Sequence, residues 1–212
     1  MKDFDLSLYL VTNRDGMSDE EFFEKIEDAL KGGVTLVQLR EKTAPAREVI
    51  ELAKKLKDLC HSYVVPLLVD DRVDIALAAD LDGVHLGADD MDVADARRIL
   101  GNDKIVGSTA KSVDWAIAEE EKGADYLGVG AIFETKTHVK TRRTSVETLR
   151  EINESISIPT VAIGGLNYEN IDILKDSKAK GVSVVRAIMD SENPYEDSKN
   201  LKKKVVDILE LN

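Results

Sequence analysis

Short runs rich in valine, isoleucine and leucine alternate with amphipathic stretches from one end of the chain to the other. Eight of these runs read as strands: Leu6–Val11, Val34–Leu39, Val65–Val69, Gly83–Leu86, Ile105–Gly107, Tyr126–Gly130, Thr160–Ile163 and Gly181–Val185. Such continuous apolar runs suit parallel strands covered on both faces. The gaps carry helical patterns. Ser18 and Glu21 form a capping box ahead of Phe22, Ile26 and Leu30, with Gly32-Gly33 as the stop. Val49, Leu52, Ala53, Leu56 and Leu59 make one apolar stripe at helical spacing. Asp92 is positioned to cap a helix through Leu100, and Ser112 one through Ala118. Thr144 with Glu147 reads as a second capping box, and Pro194 precedes a last helix with the stripe Leu201, Val205, Ile208 and Leu209. Eight strand–helix units with no Pro-, Ser- or Gly-rich linker predict an α/β fold: a single (β/α)8 TIM barrel spanning residues 1–212. A doubly wound open sheet is the alternative. No G-x-G-x-x-G opens any of the helices, which disfavours it.

Composition narrows the function classes. The 212 residues are 43% hydrophobic, enough for a sizeable core, and carry a net charge of -12. That charge argues against nucleic-acid and anionic-membrane partners, which call for a basic face. No run approaches membrane-spanning length and the first residues form no cleavable apolar segment, so the expected compartment is cytoplasmic. Cys60, the single cysteine, lies in a helical stripe and reads as a small core residue. A phosphorylated substrate of so acidic a chain needs a local cationic patch or a bound metal. A homo-oligomer is allowed by these numbers and not specified by them.

The polar clusters fall just after the predicted strands, the end where barrel active sites sit. In the second strand Leu36, Gln38 and Arg40 share one face by the period of two, while Val37 and Leu39 face the helices. Gln38 and Arg40 then line the mouth with Lys42 above them, a guanidinium, an ammonium and an amide suited to a phosphate and a ring. A surface ion pair with Glu41 is the plainer alternative. Asp70 and Asp71 end the third strand, and Asp89 and Asp90 follow the fourth. Aspartate is a common helix cap, but paired carboxylates on two neighbouring strands suit a hard cation such as Mg²⁺. Gly164-Gly165 after the seventh strand and Arg186 after the eighth stand where this fold commonly binds phosphate. Thr135, Lys136, Thr137 and His138 begin a loop running to Lys140, Arg142 and Arg143 that could clamp a second phosphate. His85 reads as a core histidine, His61 as a surface one and Trp115 as packing.

The segments LYLVT (8–12), QLREK (38–42), VDDRVDIALA (from Val69), DGVHLGADD (82–90), GADYLGVGAIFETKT (123–137), AIGGL (162–166) and GVSVVRAI (181–188), in this order, resemble the thiamine-phosphate synthase (thiamine-phosphate pyrophosphorylase) family over nearly the full length. The resemblance implies a (β/α)8 barrel and a magnesium-dependent transferase of thiamine biosynthesis. Hydroxymethylpyrimidine diphosphate and thiazole phosphate would be joined to give thiamine phosphate and diphosphate. By motif, Gln38, Leu39, Arg40, Glu41 and Lys42 would bind the pyrimidine diphosphate, and Asp71 and Asp90 the Mg²⁺. Asp70 would contact the pyrimidine, and Thr109 would lie near the diphosphate where the family has Ser. Thr135, Lys136, Thr137 and Gly165, with the backbone at Val185 and Arg186, would hold the thiazole phosphate. Arg40, Lys42, Thr109 and His138 would carry catalysis by stabilising the departing diphosphate. Three positions depart from the family pattern: Asp70 for Asn, His138 for a Lys that meets the diphosphate, and Arg186 for Ser. The rival readings are a thiazole tautomerase-like paralogue, which would want His where Lys111 stands, and a non-catalytic phosphate-binding barrel.

Overall fold

The computed structural model describes residues 4–135 and 143–211. Eight parallel strands close into a barrel in sequence order: β1 Leu8–Val11, β2 Leu36–Leu39, β3 Leu67–Asp70, β4 Gly83–Leu86, β5 Ile105–Ala110, β6 Tyr126–Gly130, β7 Thr160–Ile163 and β8 Val182–Val184. The helices are α1 Asp19–Lys31, α2 Ala46–Ser62, α3 Val73–Ala78, α4 Val93–Leu100, α5 Val113–Glu121, α6 Val146–Ser155, α7 Arg186–Met189 and α8 Pro194–Leu209. The seventh unit has only a 3-10 turn, Ile171–Leu174, between its strand and the next. None of the described helices is long and apolar enough to cross a membrane.

Two apolar layers hold the ring, and strand parity sorts residues between them. Leu8, Leu10, Val37, Leu39, Val69, Val84, Val106, Val182 and Val184 point outward and pack with Phe22, Ile26, Leu56, Leu149 and other helix residues. Tyr9, Val11, Leu36, Leu68, Ile105, Tyr126 and Val161 point inward and fill the smaller interior. Each fully buried aliphatic side chain contributes about 1.5–3 kcal/mol, so the continuous apolar strands are explained by their two buried faces. Cys60 is buried in the outer layer, and burial pushes its thiol up to about 12, which makes it inert.

The caps mostly follow the sequence. Ser18 accepts from the Glu21 N–H, Asp92 from Ala94 and Ser112 from Trp115. Thr144 does not cap α6; Ser145 does, accepting from the Thr148 N–H. Thr144 is instead buried, its hydroxyl donating to the Gly130 carbonyl at 3.0 Å, which ties the end of the β6–α6 loop to β6. Several strand boundaries also differ: β1, β2, β3 and β8 start one or two residues later than the apolar runs, and β3 ends one residue later, at Asp70. The fifth strand runs on to Ala110, because Ser108 finds a buried outward partner in Glu119 at 2.9 Å while Thr109 turns inward. The eighth stops at Val184, since Val185 leaves the extended region and starts α7.

Candidate active site

The ends of β2, β3 and β4 lie side by side, and their polar residues form one cluster. Gln38 is the inward residue paired in register with Leu68, and Asp70 is paired with His85. Arg40, just past β2, is fixed by its backbone N–H donating to Thr12 Oγ1 at 3.1 Å. Its Nε lies 3.8 Å from Asp70 Oδ2, and Lys42 Nζ lies 2.6 Å from the same oxygen and also meets Asp71. Asp71 has a left-handed backbone, φ 62, a conformation that aspartate tolerates better than most residues. Its N–H donates to the His85 carbonyl at 2.9 Å, which anchors this turn to β4.

The carboxyls of Asp71 and Asp90 hydrogen-bond to each other. Burial and this shared bond raise Asp90 to about 6, although the Gly87 N–H donates to its Oδ2 at 2.8 Å. Burial opposes ionisation of Asp71 as well, but hydrogen bonds from Asp90 and Lys42 hold it below the usual carboxylate range. Asp70 is raised by burial and by the charge of Asp71, against the pull of Lys42 and Arg40. Adjacent carboxyl groups whose like charges oppose each other are well placed to receive a cation. No cluster of three or more His, Cys, Asp or Glu able to hold an ion occurs among the described residues. Two carboxylates, with the remaining positions left to water and phosphate oxygens, fit the way Mg²⁺ is usually held.

Below the mouth a chain of polar side chains runs through the barrel interior from Gln38 to Thr109. Gln38 Nε2 donates to the Tyr9 hydroxyl, which is 2.9 Å from that of Tyr126. The Tyr126 hydroxyl is 2.9 Å from His85 Nδ1, and His85 Nε2 is 3.2 Å from Thr109 Oγ1. His85 is thus a histidine of the barrel interior, as the sequence suggests, yet one in contact with a candidate site residue. Burial lowers it to about 4, so it is neutral near pH 7; burial likewise raises both tyrosines far above their ordinary value. Gly107 makes room for this chain: a Cβ there would lie 2.2 Å from Tyr126 Cζ. Tyr9, Thr12 and Tyr126 were not singled out by the sequence. The available signal was their position: Tyr9 and Tyr126 have inward parity, and Thr12 directly follows β1.

The other predicted residues are placed as follows. Leu39 packs in the outer layer, so only its backbone is available to a ligand. Glu41 faces Arg14, with 2.7 Å between Oε1 and Nε. Asp89 is exposed, and Asp90 alone of that pair meets Asp71. Gly165 sits at φ 64 after β7, where a Cβ would come within 2.5 Å of the Glu134 carbonyl; the loop that leads to half-buried Thr135 therefore packs against this glycine. Val185 and Arg186 follow β8, which borders both β7 and β1. The Arg186 side chain is 50% exposed, with its Nε 3.3 Å from Asp190 Oδ2, so its guanidinium is already engaged. Lys136, Thr137 and His138, with Lys140 and Arg142, lie outside the described residues. His61 is at the surface, 2.8 Å from Asp82, and Trp115 packs against the outer core.

Behind the β4–α4 loop, Lys122 on α5's C-terminal side bridges Asp92 at 2.7 Å and the buried Glu119 at 2.9 Å. This bridge braces the segment that carries Asp90.

Known proteins share this fold and much of this sequence. A family model described as thiamine monophosphate synthase matches residues 8–188. A thiamine-phosphate synthase 2 of Streptococcus pneumoniae is 47% identical over 204 residues, spanning 96% of this chain and 97% of its own. A thiamine-phosphate synthase of Enterococcus faecalis is 48% identical over 205 residues, 97% of each chain. Among solved structures, thiamine phosphate pyrophosphorylase from Pyrococcus furiosus superposes with a TM-score of 0.88 at 40% identity, covering 96% of this chain and 97% of that one. A 3-hexulose-6-phosphate synthase, at TM-score 0.72 and 18% identity, shares the fold alone. On this full-length likeness the chain belongs to the thiamine monophosphate synthase family, whose members are transferases.

Proposed function

We propose that the chain condenses 4-amino-2-methyl-5-hydroxymethylpyrimidine diphosphate with 4-methyl-5-(2-hydroxyethyl)thiazole phosphate, giving thiamine phosphate and diphosphate. One observation carries this reading: Arg40, Lys42, Asp70, Asp71 and Asp90 form a single cluster at the mouth ends of three adjacent strands. Cations and two neighbouring carboxylates side by side suit a diphosphate accompanied by a divalent ion. Asp71 and Asp90 would hold Mg²⁺. When bound, that ion offsets the charge gathering on the leaving oxygens.

The protein's own groups do the rest. Gln38 and Asp70 receive the pyrimidine. Arg40, Lys42 and the Thr109 hydroxyl stabilise the diphosphate as the bond from the methylene carbon to oxygen breaks and the electron pair leaves with the oxygen. The thiazole nitrogen lone pair then forms the new carbon–nitrogen bond. Gly165, the backbone at Val185 and Arg186, and Thr135, Lys136 and Thr137 hold the thiazole phosphate, while His138 joins Arg40, Lys42 and Thr109 on the diphosphate. No protein nucleophile is needed; fixing two partners face to face can remove roughly 7–11 kcal/mol of barrier. With a net charge of -12, the protein suits small-molecule substrates in the cytoplasm rather than nucleic acid or membrane.

The test is direct. The purified protein is mixed with both heterocycles and Mg²⁺, and thiamine phosphate and diphosphate are measured. Product should form, and Asp71→Ala or Asp90→Ala should abolish the response to Mg²⁺. Isomerisation of the thiazole phosphate alone, untouched by either substitution, would identify a tautomerase instead. Binding without any turnover would identify a non-catalytic barrel.

A further inference from the structure

We propose that Gln38, Tyr9, Tyr126, His85 and Thr109 form one polarised relay, in which an anion at Thr109 dictates which atom of the Gln38 amide faces the ring. Tyr9, Tyr126 and His85 are then positioning residues that select a ring bearing an amino group over one bearing an oxo group. This rests on the reading above, in which Thr109 meets the diphosphate and Gln38 the ring.

The logic is donor counting. The four links run without a break from β2 to β5: Gln38 to Tyr9, Tyr9 to Tyr126 at 2.9 Å, Tyr126 to His85 Nδ1 at 2.9 Å, and His85 Nε2 to Thr109 at 3.2 Å. Each hydroxyl has one proton to give, and a neutral imidazole has one N–H. Every link must therefore be donated in the same sense, all toward Thr109 or all toward Gln38. A mixed arrangement sets two lone pairs against each other, or leaves one hydroxyl accepting twice with its own proton unpartnered inside the barrel, unless the imidazole is charged, and burial disfavours the charged ring.

A phosphate oxygen beside Thr109 needs the threonine proton. Thr109 then cannot donate to His85, so His85 carries its hydrogen on Nε2 and gives it to Thr109. Nδ1 accepts from Tyr126, Tyr126 accepts from Tyr9, and Tyr9 accepts from Gln38 Nε2. The amide oxygen is the atom left for the ligand, and it accepts from an N–H₂. An oxo group in its place would call for the flipped amide. That would reverse all four links and turn threonine lone pairs toward the phosphate. The two ends of one substrate are thus read jointly.

Two measurements test this. In wild-type protein with ¹⁵N-labelled histidine, inorganic diphosphate plus Mg²⁺ should leave His85 with a protonated Nε2 and a bare Nδ1; a protonated Nδ1 in that complex would overturn the relay. Calorimetric affinities for the amino- and oxo-pyrimidinylmethyl diphosphates, with Mg²⁺ and no second substrate, should differ by about 10²-fold in wild type. In Tyr126→Phe and Tyr9→Phe, confirmed folded by thermal melts, the ratio should shrink to within about threefold, because the broken chain no longer ties the amide to Thr109. An unchanged ratio in both folded variants refutes the relay alone. Failure of wild type to bind either diphosphate refutes the functional reading itself.

Discussion

Removing the Arg40 guanidinium separates catalysis from stability. The side chain is 19% exposed and its Nε stands 3.8 Å from Asp70 Oδ2, whereas Lys42 Nζ reaches that oxygen at 2.6 Å. In Arg40→Ala, Asp70 keeps its shorter ion pair. The folded state should lose no more than about 1 kcal/mol, the scale of a partly exposed, loosely made pair. The reaction should lose far more. A charge-assisted hydrogen bond contributes about 1.5–3 kcal/mol, and two directed at a leaving diphosphate come to about 3–4 kcal/mol after partial compensation by Lys42. That corresponds to a fall in kcat/KM of about 10²- to 10³-fold. Arg40→Lys should recover part of it, since an ammonium restores charge without the planar fork. Diphosphate release under saturating Mg²⁺, with thermal melts of the same samples, gives both numbers. Turnover within about threefold of wild type, in a protein of normal Tm, would show that the diphosphate does not leave past Arg40.

Three further outcomes follow from the geometry. Gly107→Ala should destabilise the fold by about 1–3 kcal/mol or more in denaturant titrations, because the new Cβ would meet the Tyr126 ring at 2.2 Å; a change under about 0.5 kcal/mol would mean the ring has space to retreat. His85, held at about 4 by burial, takes up a proton on unfolding as the pH falls through its ordinary value of about 6.5. Folding stability should therefore decline between about pH 6.5 and 4, by up to about 3 kcal/mol, and His85→Asn should lose less over that window; identical slopes for the two proteins would remove His85 as the cause. Lys122→Met should destabilise the protein by about 1–3 kcal/mol by leaving the Glu119 carboxylate without its cation, and Glu119→Gln in the same chain should restore part of the loss; additive losses would show that the two do not act as a pair.

The barrel was legible because each of its elements is encoded locally. A strand covered on both faces must be apolar throughout, and a helix lying on it must carry a stripe at its own period, so the alternation of runs names the architecture. Parity within β2 placed Gln38 and Arg40 inward and Leu39 outward, and the structure agrees for the same reason. Local signals failed where two candidates lay side by side. Thr144 and Ser145 are both good caps, and burial against Gly130 takes the first out of contention. β5 runs three residues longer than its apolar core because Ser108 and Thr109 are satisfied by Glu119 and His85, which come from other elements.

The sequence by itself determined where the eight strands lie to within a few residues, which side of β2 faces inward, and that acids and cations gather after the strands. Only the closed ring decided that Asp71 meets Asp90 while Asp89 faces solvent, and that Tyr9 and Tyr126, 117 positions apart, join Gln38 to His85. The physical reason is the range of the forces involved. Burial periodicity is felt within one strand or helix, whereas a hydrogen bond between side chains depends on register and barrel closure, which exist only once all eight strands have paired.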